Sequence, residues 1–148
     1  MQPIRPWLLI GSWRDRHDRA LLDHYRVGAM LELAAVVEQP GIASLALPIE
    51  DGEPITPAVF AQGIAFVQHH HRAGQVVLVA CAAGISRSTT FAIAALKEAE
   101  QLSLLAAAQI VRRLHPRGLP HSALWSSLCA YYQEPLSYLD LIRAGESG

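Results

Sequence analysis

The stretch VVLVACAAGISRSTTFAIAAL, residues 76–96, decides how the rest of the chain is read. With Gln75 ahead of it, VVLVA is a continuous apolar, β-branched run, the pattern of a strand buried on both faces. Cys81 stands at its end. Ala82, Ala83, Gly84, Ile85 and Ser86 follow, then Arg87 and Ser88 at the head of a helical pattern. In α/β sheets, ligands sit beyond the carboxyl ends of the strands. Small residues there let backbone N–H groups turn inward, and such a nest joined to a helix N-terminus receives anions. Arg87 adds a planar, permanently charged fork that matches two oxygens of a phosphate. A positive field of this kind favours thiolate over thiol at Cys81, and a thiolate beneath a bound phosphate can attack phosphorus. The Ser88 hydroxyl is placed to donate to the sulfur as it leaves. The amides of residues 82–87 are the expected oxyanion donors. The signal is the whole pattern C-x2-G-x2-R-S between strand and helix, since a Cys and an Arg six apart are common by chance.

The chain outside this stretch sets the frame. Its 148 residues, 51% of them hydrophobic, predict a single domain over 1–148 with a core that needs no disulfide or metal. A net charge of −1 argues against a nucleic-acid face or a polybasic membrane anchor. No apolar run reaches the roughly 20 residues of a membrane span, and the apolar stretch in MQPIRPWLLIGSW is too short for a secretory signal. A cytoplasmic protein is the expectation. Of the two cysteines, Cys129 lies in the apolar helical setting WSSLCAYY and reads as a small core residue.

Working outward, WLLIG (7–11), GAMLELA (28–34) and IASLALPI (42–49) read as further strands. Residues 14–25 fit one amphipathic helix with Leu21, Leu22 and Tyr25 inward. Residues 50–57, with two Pro, a Gly and three acids, form a loop. Thr56 and Pro57 then open a helix that runs to about Ala73, ahead of Gly74. Three more helical segments follow residue 96, one capped by Ser103, another preceded by the breaker HPRGLP. Strands alternating with helices predict an α/β domain with a central, mostly parallel sheet flanked by helices on both faces.

These residues resemble the cysteine-dependent protein tyrosine phosphatases, with their C-x5-R-[ST] loop, and within them a compact dual-specificity phosphatase. LLIGS resembles the opening strand of that family, SRSTTFAIAAL its loop-to-helix segment, and IVRRLHPRGLP its later Arg-Pro turn. LPIEDGEP resembles the loop carrying the general acid, which places that role on Asp51, with Glu50 and Glu53 as local competitors. A carboxylic acid there can protonate the leaving oxygen and, as carboxylate, activate water. The resemblance implies hydrolysis of phosphotyrosine and phosphoserine/phosphothreonine through a phosphocysteine, on phosphoprotein substrates, without metal or cofactor. Three departures stand out. Most relatives carry His where this chain has Ala80, which leaves the thiolate with less support. The usual Arg-Pro is His115–Pro116. The usual Pro-Asn is Pro120–His121, so His121 is expected to brace the loop in place of Asn. Ala80 also supports an alternative, a phospho-binding pseudophosphatase with weak or no turnover. A sulfur transferase is a further rival, disfavoured by the Arg87–Ser88 closure.

None of the five residues between Cys81 and Arg87 is charged, whereas phosphoinositide and RNA-end relatives tend to carry cations there. One phosphomonoester on a protein is the expected substrate class. His69, His70 and His71 point about 100° apart on a helix and do not converge on one ion. Trp7, Trp13 and Trp125 read as packing residues, and Arg112–Arg113 as a solvated pair.

Overall fold

A computed structural model describes residues 1–146. Five strands form one sheet in the order β1-β2-β5-β3-β4: β1 (Gln2–Arg5), β2 (Leu8–Gly11), β3 (Val27–Glu32), β4 (Ala43–Ala46) and β5 (Val76–Ala80). Every pairing is parallel except β1 with β2. The central, mostly parallel sheet of the sequence reading is therefore present.

Side chains alternate across β5 as a doubly buried strand requires. Val77, Val79 and Cys81 join the larger core beneath α3 (Pro57–Arg72), α4 (Arg87–Glu100), α5 (Leu104–Leu114), α6 (Ser122–Tyr132) and α7 (Tyr138–Ala144). Leu78 and Ala80 face the other way, into a small core with Leu9, Met30 and Leu22. That second face is covered by α1 (Trp13–His17) and α2 (Arg19–His24). Helix α4 is the axle of the larger layer, with every residue from Ser88 to Leu96 buried. Thr56 accepts from the Val59 amide at the head of α3, and Ser103 accepts from the Ala106 amide at the head of α5, as their caps predict. No helix among the described residues is long and apolar enough to cross a membrane.

Four details differ from the sequence reading. Strand β1 is an antiparallel partner of β2 that QPIR does not announce. The single helix expected over 14–25 is two, because Asp18 leaves helical geometry (φ −90°, ψ 90°) to cap α2 through the Leu21 amide. Of its three inward candidates only Leu22 is buried; Leu21 and Tyr25 are half-buried. Trp13 is 51% exposed, whereas Trp125 is in the core and Trp7 stacks on His71.

Candidate active site

Parallel pairing delivers Cys81 to the mouth of the sheet. Its amide donates to the Gly11 carbonyl at 3.3 Å, one step beyond the last β2–β5 pair, and the Trp13 amide donates to the Ala82 carbonyl at 3.0 Å. The chain then turns through the loop 82–86 into α4. Cys81 is 2% exposed and forms the loop's floor, while Ala82 and Ala83 lie on its exposed rim. The sulfur has two polar neighbours: the Gly84 amide donates to Sγ at 3.2 Å, and Ser88 Oγ lies 3.2 Å from it. Both are groups that stabilise negative charge on sulfur.

Gly84 makes this turn possible. Its φ is +71°, and a Cβ there would lie 3.0 Å from the Gly11 carbonyl oxygen, which is backbone and does not give way. Replacing Gly84 by Ala is expected to cost about 1–2 kcal/mol in stability. It would also swing the amide off the sulfur, weakening inhibition by inorganic phosphate about tenfold or more. A melting curve and a phosphate-inhibition titration check both halves.

The loop is held from outside by three segments. His115 donates from Nε2 to the Gly84 carbonyl at 2.8 Å, and the Leu119 amide donates to the Ile85 carbonyl at 2.9 Å. Arg112 keeps that bracing turn closed by donating to the carbonyls of Gly118 and Pro116, so it is a structural brace rather than a solvated partner of exposed Arg113. Ser86 Oγ donates to Asp51 Oδ1 at 2.6 Å and accepts from the His121 amide at 2.8 Å. The His121 ring does not brace the loop as expected; its Nδ1 accepts from the Ala123 amide and caps α6. His115 and the Ser86 bridge are the contacts that sequence reasoning missed.

Two of the candidates come from the far side of the loop. Arg87 donates from Nη1 to the Ile49 carbonyl at 3.0 Å, which fixes the guanidinium and leaves most of its five donors for other partners. Asp51 follows two residues later; it, Glu50 and Glu53 are all exposed, but only Asp51 is tied to Ser86, and the two glutamates make no side-chain hydrogen bond among the described residues. The fold thus gathers Cys81, Ser88, Arg87 and Asp51 around one loop. Cys129 stays apart, buried in α6 with its thiol toward the Leu136 carbonyl at 3.7 Å; burial pushes that thiol up. Of the three neighbouring histidines, His71 stacks on Trp7 and His70 bonds Gln75.

A strand-end cysteine under a glycine-bearing loop, with an arginine at the head of the next helix, is the signature of cysteine-dependent phosphatases. Residues 8–134 match the dual specificity phosphatase catalytic domain, and the chain belongs to that family of protein phosphatases. Mouse dual specificity protein phosphatase 19 is 28% identical over 132 residues, covering 86% of this chain and 60% of that protein. The chain therefore spans less than two thirds of that relative's length. The crystal structure of human DUSP28 superposes with a TM-score of 0.83 at 28% identity, covering 90% of this chain and 96% of that one. A mouse putative dual specificity phosphatase, crystallised in complex with zinc tungstate, superposes with a TM-score of 0.83 at 26% identity over 89% of this chain and 86% of its own.

Proposed function

We propose that this chain is a single phosphatase domain that hydrolyses phosphotyrosine and phosphoserine/phosphothreonine on proteins through a phosphocysteine. The observation that carries the reading is a sulfur on the floor of a small-residue loop, with the Gly84 amide donating to it and the Ser88 hydroxyl in hydrogen-bond contact with it. The Cys81 thiolate attacks phosphorus and the ester P–O bond breaks. Asp51, as carboxylic acid, gives its proton to the departing oxygen. Water then attacks the phosphocysteine, the Asp51 carboxylate takes the water's proton, and the S–P bond breaks to return thiolate and free phosphate. Arg87 and the amides of Ala82, Ala83, Gly84, Ile85, Ser86 and Arg87 meet the equatorial oxygens. Ser88 donates to the sulfur as it leaves.

The uncharged lining of residues 82–86 supports one phosphomonoester rather than a polyphosphorylated ligand. The Ser86–Asp51 bond supports Asp51 over Glu50 and Glu53 as the acid. The deciding assay is phosphate release from phosphotyrosyl and phosphothreonyl peptides by the full chain. Release above the uncatalysed rate supports the enzyme; micromolar peptide binding without release would replace it with the binding-module reading.

Asp51→Asn is expected to slow hydrolysis of a poor leaving group, such as phenyl phosphate, about 10²-fold. It should also flatten the descending high-pH limb of the rate profile, since Asn has no proton to lose. An unchanged limb in the variant would move the acid role elsewhere.

A further inference from the structure

Every peptide bond among the described residues is trans, so each carbonyl and the amide that follows it point in opposite directions. An outside group that takes a loop carbonyl therefore also aims the next N–H. Three such groups act on the loop after Cys81. The Trp13 amide takes the Ala82 carbonyl, His115 Nε2 takes the Gly84 carbonyl, and the Leu119 amide takes the Ile85 carbonyl. The three bonds turn the amides of Ala83, Ile85 and Ser86 away from the bracing segments. None of these three amides donates to an acceptor among the described residues, whereas the Gly84 amide is given to the sulfur.

Two of the three braces are backbone groups, which almost any residue supplies. The third is a side chain. His115 closes α5, and its own amide donates to the Val111 carbonyl at 2.8 Å. Its backbone then leaves helical geometry (φ −131°, ψ 74°), and its ring reaches a carbonyl 31 positions earlier in the chain. A carbonyl only accepts, so Nε2 carries the proton. The ring fits because the neighbouring turn is bare: a Cβ on buried Gly118 would lie 2.3 Å from His115 Cδ2. Arg112 pins the same turn through the carbonyls of Pro116 and Gly118. The donor is thus in place before any ligand arrives.

We propose that His115 is a positioning residue for phosphate: by holding the Gly84 carbonyl, its ring aims the Ile85 N–H at the bound anion. The proposal rests on the anion-binding role given to the loop above. It assigns part of the grip on the equatorial oxygens to a side chain outside the C-x5-R-S motif, in the turn that follows α5.

The test is titration of the isotope-labelled full chain with inorganic phosphate, read by the dissociation constant and by the NMR shifts of the loop amides. Wild type is compared with His115→Ala, with His115→Phe, which keeps a ring against Gly118 but has no donor, and with His115→Gln, whose side-chain amide restores a donor near the place of Nε2. His115→Ala and His115→Phe are expected to bind phosphate about three- to tenfold more weakly than wild type. In both, the phosphate-induced shift of the Ile85 amide should shrink more than those of Ala83 and Ser86. His115→Gln should stay within about twofold of wild type. Unchanged phosphate affinity in His115→Ala and His115→Phe overturns the proposal. So does an equal loss in His115→Gln and His115→Phe, or a shrinkage spread evenly over the loop amides, either of which would mark His115 as merely structural. Phosphate binding does not use turnover. Loss of the phosphatase reading would appear separately, as a wild type that binds phosphate but releases none from phosphopeptides.

Discussion

Cys81→Ser is expected to lower kcat on para-nitrophenyl phosphate on the order of 10⁴-fold or more, with the fold intact. A serine hydroxyl is nearly isosteric with the thiol but is a far weaker nucleophile near neutral pH. The Gly84 amide and Ser88 Oγ, both 3.2 Å from the sulfur, remain as partners for the new hydroxyl. The buried polar group is therefore satisfied, and stability read from the melting curve should hold to within about 1 kcal/mol. The oxyanion donors are untouched, so the variant should still bind phosphopeptide. Turnover, melting and peptide titration together form the measurement. Residual turnover within tenfold of wild type would mean that sulfur is not the attacking atom.

Arg87→Lys carries the second large effect. Lysine keeps the charge and loses the flat fork, so one point contact replaces a paired grip on two oxygens. It also gives up the bond from Nη1 to the Ile49 carbonyl, which fixes the side chain before any ligand arrives. Charge on the equatorial oxygens must be held through the transfer itself, so the loss should fall mainly on kcat. The expected fall in kcat/KM is about 10²- to 10⁴-fold, with KM changed far less. Steady-state kinetics on an aryl phosphate check it; a variant within threefold of wild type would remove Arg87 from the clamp role.

Much of this architecture could be read in advance because its signals are local. The apolar run 76–80 could only be a strand sealed on both faces, and the small residues after it could only be a turn. Thr56 and Ser103 announced their helices by type and position. What escaped depends on long-range meetings. QPIR becomes a strand only because β2 lies beside it. His115 reads as part of a breaker, yet folding brings it to the carbonyl of Gly84, 31 positions earlier. Arg16 looks like one more solvated arginine in RDRHDR. Its burial is fixed by Glu32, on a strand that pairs with the cysteine's own. The break at Asp18 was legible, since an Asp three residues before Leu21 is a helix cap.

One hydroxyl, that of Ser86, ties together the segment bearing Asp51, the loop 82–86 that follows Cys81 and the approach to α6. Should Asp51 act as proposed, its carboxyl is already latched to the loop that follows Cys81, and no sweeping closure need precede proton delivery. Catalysis in such an arrangement depends on a prearranged scaffold more than on a moving flap, and slowing the solvent with viscogen should leave the rate of the chemical step unaltered.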